Sequence, residues 1–509
     1  MSNRKEIIGH AFQYLSAFML TQMITLVTSL LTRRFLGPVQ QGIWSLLQVI
    51  LIYTSWTAFG VTEVISRDIP FHRSRNELDK AETIKNNVFS FSMTSSLIVA
   101  AGIAGFALFN RTHLKEEMFY GLLFVPLMLM LQRYSTLQIC LLRGYKNFSL
   151  ASRLSVYSAI VNSVLVAILS YRYQIYGFIW AMCLSYTFDL LFVRLQHRFK
   201  FRFQFNWKII WNAIKFGFPL YMVGIATGIF LSADRVMIAK FLSFKELGLY
   251  SIAVMAFTYM RNFPNPVCVV LLPNLHERFG KTGDFRQLKG YIAKTSIFFS
   301  NAMPILIGVT WFAVPYLVMR VIPDYAGGIS SLRCLIPAGF FLALFQTYGY
   351  FIALMRKQVI LLICMAMAAA LAFGFNFLAL RAHLRIESVA VINVVISFLL
   401  FTSGYLVSAR HLFEPLEAVK HYLGYMGRFA MMMAVLLGLT SFFPNSSNSL
   451  VQVIVSCLTI ALFFAPLWWK MFQEYDIWSA LKAKWFGSQT PTAANVSDIP
   501  LTSEHDPIS

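Results

Sequence analysis

The chain has 509 residues, of which 58% are hydrophobic and only 13% charged, about half the charged fraction of an ordinary soluble domain. That is too little polar surface to coat a soluble globule of this length, so the composition excludes a soluble multidomain protein and indicates an all-α polytopic membrane protein. The net charge of +21 would suggest nucleic acid in a soluble chain; here it is expected in the loops that set topology, and no nucleic-acid partner is expected.

At the start of the chain, Arg4 and Lys5 precede a long apolar run with no small-residue cleavage site after it. This run is expected to be a retained span rather than a signal peptide. A helix needs about 20 apolar residues to cross a bilayer. Fourteen segments meet that requirement: 11–33, 43–62, 87–109, 118–140, 150–170, 175–195, 215–239, 247–271, 292–317, 332–354, 358–380, 387–408, 422–443 and 449–470.

The loops between these segments alternate in charge. One side takes Arg4 and Lys5, then Arg67, Arg73, Arg75, Lys80 and Lys85, the 194–215 loop and the 274–294 loop. It holds about 28 of the 43 Lys and Arg, against about 10 on the other side. That bias predicts cytoplasmic N- and C-termini and supports the span count. Glu63 and Asp189 fall near inner ends beside basic loops and are expected to be surface pairing partners. The six cysteines, at 140, 183, 268, 334, 364 and 457, all fall in or beside apolar spans without a C-x-x-C pair, which predicts core packing. The nine histidines show no metal-ligand spacing.

The chain repeats itself. "RRFLGPVQQGIWS" at 33–45 returns as "AKFLSFKELGLYS" at 239–251. Arg34 pairs with Lys240, Phe35 with Phe241, Leu36 with Leu242, Gly42 with Gly248, Trp44 with Tyr250 and Ser45 with Ser251, at a constant offset of 206 (248 − 42). Six spans separate the copies. Six is even, so the two halves face the same way, related by an axis along the membrane normal, with a cleft expected between them. The predicted organisation is a six-helix lobe over 1–200, a second over 201–415, two extra helices over 416–470 and a partly disordered cytoplasmic tail over 471–509.

"LSADRVMIAKFLSFKELGLYSIA", Leu231 to Ala253, resembles the seventh and eighth helices of Wzx-type polysaccharide flippases, a branch of the multidrug/oligosaccharidyl-lipid/polysaccharide exporter (MOP) superfamily. "RRFLGPVQQG" is similar to the end of their first helix, and "LLPNLHERFGKTGDFRQLK" to their central cytoplasmic loop. The resemblance extends loosely over residues 5–470. It implies two six-helix lobes as in the multidrug and toxic compound extrusion (MATE) transporters, a cationic cavity, alternating access and a lipid-linked oligosaccharide as cargo. It implies a bacterial cytoplasmic membrane, with membrane lipids and the polymerase and chain-length machinery as partners. The sugar stays open, O-antigen and capsule units included.

Charges in mid-span cost about 2.5–3.5 kcal/mol each to insert, so they face a wet interior or a partner. Arg133 falls in span 4, Asp234 and Arg235 in the outer part of span 7, and Arg261 in span 8. Three arginines against one aspartate leave a net +2, which suits a diphosphate. The alternative is structural: Asp234 neutralises one arginine and the others snorkel. Asp234 and Arg235 correspond to Thr28 and Ser29 in the first half, so only one half is charged there. Asp234 is a candidate either as partner of a cavity arginine or as a site for a coupling Na+ or H+. Arg33, Arg34 and Lys240 cap outer helix ends, where they snorkel or receive a phosphate; Arg34 and Lys240 are taken as the gate candidates. Pro219, Pro264 and Pro266 are candidate hinges, because proline removes a helical hydrogen bond.

No G-x-x-x-x-G-K-[ST] motif occurs, so neither ATP nor another cofactor is expected. A cation-coupled drug exporter of the same superfamily is the alternative, but it would want more acids in the cavity. A polysaccharide polymerase or glycosyltransferase would want catalytic acids on sizeable outer loops, and those loops are short, so the protein is expected not to be an enzyme. A non-transporting scaffold would leave the mid-span charges without a purpose.

Overall fold

The computed structural model describes residues 2–145, 147–268, 275, 278–280, 283–443 and 449–474, without the side chains of residues 2–17, 66, 219, 220, 472 and 474. The expected tail beyond 474, the short 444–448 connection and most of the central loop's first half lie outside the described residues. Every regular element among the described residues is a helix.

In chain order these are α1 (Ser2–Ser55), α2 (Glu63–Ser74), α3 (Leu78–Phe109), α4 (Glu116–Gly144), α5 (Phe148–Gln196), α6 (Trp207–Phe230), α7 (Ala233–Phe241) and α8 (Phe244–Asn262). They continue with α9 (Lys289–Val321), α10 (Ile329–Leu335), α11 (Ala338–Leu354), α12 (Gln358–Arg381), α13 (Ile386–Leu412), α14 (Pro415–Phe442) and α15 (Leu450–Glu474). Ten of the helices are long and apolar enough to cross a membrane, or eleven spans with the pair α10–α11, bent by 45°, taken as one.

The difference from fourteen has a local cause. The 54 residues of α1 would stretch about 80 Å as a straight helix, far beyond a hydrocarbon core of about 30 Å. Gly37 breaks it, at φ 66° and ψ 173°. Glycine tolerates that conformation, and Pro38 cannot donate the hydrogen bond that would continue the helix. In α5, 49 residues long, Gln174 makes the break at φ 47° and ψ −126°. That backbone is strained for a side-chain-bearing residue, and Gln40 holds it in place. The Gln40 carboxamide donates to Gln174 Oε1 at 2.7 Å and accepts from the Ile175 backbone N–H at 3.2 Å. The two corners therefore lock to each other. Both arms of α1 and of α5, together with α8, whose 19 residues include Lys245, Glu246 and Arg261, restore the fourteen segments read from the sequence.

The second half breaks at the equivalent place. α7 ends at Phe241, Leu242 is extended, and Ser243 caps α8 by accepting from the Glu246 N–H at 3.2 Å. Buried apolar side chains form one large core over residues 226–464 and three smaller clusters between residues 36 and 213. Each half thus has its own packing. α14 and α15 lie against the second-half core through Tyr425, Met432 and Ile460. The cysteines carry no disulfide, and Cys183 and Cys268 are buried.

One expectation fails here. Asp189 is no surface partner. It is buried on the second arm of α5, where Ser135 Oγ of α4 donates to its Oδ2 at 3.2 Å and Oδ1 has no hydrogen-bond partner among the described residues. Span 7 crosses as one segment over Tyr221–Phe241 but carries a two-residue break within it. α6 stops at Phe230, and Asp234 opens the first turn of α7, where free N–H groups favour an acid.

Candidate functional site

A cavity of about 690 Å3 lies between the two halves. On the first arm of α1, Thr25, Thr28, Ser29, Thr32 and Arg33 recur at helical spacing and all line it. Gln41, Ser45 and Gln48 line it from the second arm. In a straight helix Thr25 and Gln48 would stand about 35 Å apart, so the break at Gly37 is what brings both stripes to one space. α8 contributes Ser251, Thr258 and Arg261, and the α6–α7 junction contributes Thr227, Asp234 and Arg235. Asn162 and Tyr186 of α5 close the side.

The described lining holds three cations, Arg33, Arg235 and Arg261, and one acid, Asp234. Their sum is +2, with Arg33 in the lining and Arg133 outside it. Arg33 is 6% exposed. It donates to Ser29 O at 3.0 Å and to Ser29 Oγ from one terminal nitrogen, and to Ser251 O at 2.9 Å from the other. Its hold on Ser251 crosses from the first half to the second. Arg235 is buried, with one terminal nitrogen 3.5 Å from Leu231 O and no hydrogen-bond partner for Nε among the described residues. Arg261, at the end of α8, is partly buried and makes no hydrogen bond or ion pair among the described residues. It also borders an apolar side pocket of about 340 Å3, lined by Phe230, Leu342, Phe345 and Met365.

Asp234 is 6% exposed and has no cation within 4.0 Å among the described residues. Neutral donors hold its carboxylate: the Arg235 backbone N–H at 2.7 Å and the Tyr250 hydroxyl at 2.9 Å. Asn393 donates in turn to the Tyr250 oxygen at 3.4 Å. Neighbouring positions on a helix diverge by about 100°, so the Arg235 guanidinium leaves its neighbour's carboxylate unpaired.

Three expected cavity residues are placed elsewhere. Arg133 is not among the lining residues. Its guanidinium donates to Ser96 Oγ at 2.9 Å, Ser55 O at 2.8 Å and Thr54 O at 3.3 Å, and so serves the free carbonyls at the end of α1. Arg34 is exposed, turned about 100° from Arg33. Lys240 is exposed beside the Phe241 ring, 5.5 Å from its centroid. Sequence reasoning grouped Arg33 with Arg34 as snorkelling caps. The polar stripe Thr25–Thr28–Ser29–Thr32–Arg33 would have separated them. Of the hinge candidates, Pro264 sits in the turn that ends α8, and Pro266 in the helical turn that follows. Pro219 lies within α6, its side chain outside the described residues.

The halves touch through glycines at both ends of the cavity. At the corner end, a Cβ on Gly42 would lie 1.8 Å from Phe244 O, and one on Gly248 would lie 1.7 Å from Pro38 O. At the other end, a Cβ on Gly217 would lie 2.3 Å from Gly60 O.

The fold recurs in solved transporters. A multidrug resistance MATE family transporter of the MOP superfamily, in an inward-facing conformation, shares 16% identity with a TM-score of 0.66, over 79% of this chain and 97% of its own. The lipid II flippase MurJ, in an inward closed conformation, shares 14% identity with a TM-score of 0.68, over 90% of this chain and 98% of its own. A MATE protein in its bent conformation shares 14% with a TM-score of 0.56, over 83% and 97%. No curated protein matches by sequence. The model of the polysaccharide biosynthesis protein family matches residues 30–322, more than half of the chain, and the protein is a multi-pass membrane member of that family.

Proposed function

We propose that the protein is a flippase that carries a lipid-linked oligosaccharide, joined to its polyprenyl carrier by a diphosphate, across a bacterial cytoplasmic membrane from the inner to the outer leaflet. The observation that carries this reading is the lining of the interlobe cavity. Three arginines face one aspartate, and Arg261 has no partner among the described residues. Guanidinium groups are shaped to fork onto phosphate oxygens, and a net +2 disfavours a cationic drug as cargo. The Thr, Ser and Gln stripes around the arginines offer neutral donors and acceptors of the kind sugar hydroxyls need.

Transport by alternating access would exchange the glycine contacts at one end of the cavity for an opening there. Outward movement of a diphosphate down the membrane potential gains about 2.3 kcal/mol per uncompensated charge per 100 mV. The unpaired Asp234 carboxylate is where a coupling Na+ or H+ would bind. The residues make no demand for a catalytic role.

A deletion strain probed for lipid-linked oligosaccharide tests the reading. Accumulation on the cytoplasmic face, relieved by this gene, is the expected result. Unpolymerised units accumulating on the outer face would replace the flippase with a polymerase.

A further inference from the structure

The segment joining the two halves, "HRFKFRFQFNWKIIW" at 197–211, alternates aromatic and polar residues with a period of two as far as Lys208, and α6 begins at Trp207. That is the pattern of an extended strand with two different faces. The structure has no sheet here to pair with it. Instead, the backbone N–H groups of Arg202, Gln204 and Asn206 donate to Asn86 Oδ1 at 3.1 Å, Ser90 Oγ at 2.9 Å and Asn87 Oδ1 at 2.5 Å. One polar face of α3 thus substitutes for a neighbouring strand. Phe201 stacks on Phe89 with centroids 4.5 Å apart, which fixes one end of the segment on the first half. At the other end the Asn206 side chain caps α6 by accepting from Lys208 N at 3.1 Å.

Beyond this anchor the segment is uncovered. Phe203 is 70% exposed, Trp207 58% and Trp211 47%. Trp207 stacks on Phe205 and on Trp211 in a row, at interplanar angles of 14° and 24°. Arg198, Lys200, Arg202 and Lys208 are exposed and make no ion pair among the described residues. No acid occurs between Asp189 and Asp234. A basic loop by itself sets topology, but topology needs neither a fixed backbone nor a stacked aromatic row beside the charges. Aromatic rings settle at headgroup depth, and cations beside them meet lipid phosphates.

We infer that residues 198–211 form a docking strip for anionic phospholipid headgroups. Because the strip is bonded to α3 on one side and caps α6 on the other, lipid held there bears on the joint between the two halves.

Full-length protein in nanodiscs tests this, with Trp207 and Trp211 fluorescence isolated by difference from W207F/W211F. Phosphatidylglycerol and phosphatidylcholine, each brominated near the headgroup, are compared as quenchers at equal low mole fraction. Each cation near the surface is worth about fivefold in local anion occupancy, so phosphatidylglycerol should quench at least about fivefold more strongly. In R198Q/K200Q/R202Q/K208Q that preference should vanish while quenching by phosphatidylcholine persists, showing the strip still in place. Equal quenching by both lipids in the native protein, or a preference that survives the four substitutions, overturns the inference. A native protein quenched by neither bromolipid would have its strip off the bilayer, and that result overturns the inference too.

Discussion

Gly42 and Gly248 close on each other's neighbourhoods across the two halves. Gly42 packs on the backbone of Phe244 and Gly248 on that of Pro38, where Cβ atoms would come within 1.8 and 1.7 Å of the carbonyl oxygens. Both pairs obey the offset of 206 (248 − 42 and 244 − 38). A contact in which one residue meets another and their mates meet in return is the signature of a twofold axis. The sequence repeat and the interface are therefore one relationship, and the axis passes through this corner.

A methyl group at either glycine must push backbone away, because the atom in its path is a carbonyl oxygen rather than a flexible side chain. Overpacking of this kind costs about 1–3 kcal/mol. G42A and G248A are expected to shift the protein toward opening at the corner end. A cysteine at Ser45, labelled with an impermeant maleimide, should react several-fold faster in either variant. An unchanged rate would mean that the contact does not gate the cavity.

Arg33 and Arg34 are adjacent in sequence but unequal in the fold. Charge-assisted hydrogen bonds are worth about 1.5–3 kcal/mol, so R33A should lower transport of the lipid-linked cargo by about tenfold or more. R34Q and K240Q should stay close to the native rate, since both side chains are exposed outside the cavity. Comparable losses in all three would return the gate to the helix-end cations.

Arg133 and Arg261 separate structure from function. Hydrogen bonds from a charged group are worth about 1.5–3 kcal/mol, and R133Q weakens those Arg133 makes to Ser96, Thr54 and Ser55, so it should lower the melting temperature in detergent by several degrees. R261A removes a group with no partner among the described residues. Its melting temperature should stay put while transport falls. The opposite pairing of effects would make Arg261 the structural residue.

Asp234 is the acid to neutralise. D234N keeps the shape, removes the charge and leaves one acceptor oxygen for two donors, the Arg235 N–H and the Tyr250 hydroxyl. If the carboxylate binds a coupling cation, the variant loses its response to one ion gradient while still binding cargo. Normal transport under Na+, H+ and potential gradients alike would remove the coupling role. Y250F, which takes away the donor 2.9 Å from Oδ2, should weaken the same response by a smaller factor.

Spans, repeat and orientation bias were legible in the sequence because each rests on a local property. Hydropathy is summed over about 20 neighbouring residues, and the repeat is a comparison of text with text. The charge-bearing half of the cavity, Asp234, Arg235 and Arg261, was legible for the same reason, since charge inside an apolar run is visible without a fold. Arg33 was missed because its role depends on rotation about a helix axis. One residue's step of about 100° sends Arg33 inward and Arg34 outward.

The sequence alone determined that this chain lives in a membrane as paired halves of helices, since hydrophobic composition and repetition survive any arrangement of the parts. Only the tertiary structure decided which charges share a space. The break at Gly37 folds two stripes of α1 onto one cavity, and the end of α1 consumes Arg133 by offering it free carbonyls. The Gly42–Gly248 contact brings the two copies of one motif within reach of each other's backbone. Those outcomes depend on where distant segments meet, and no window along the chain contains both partners.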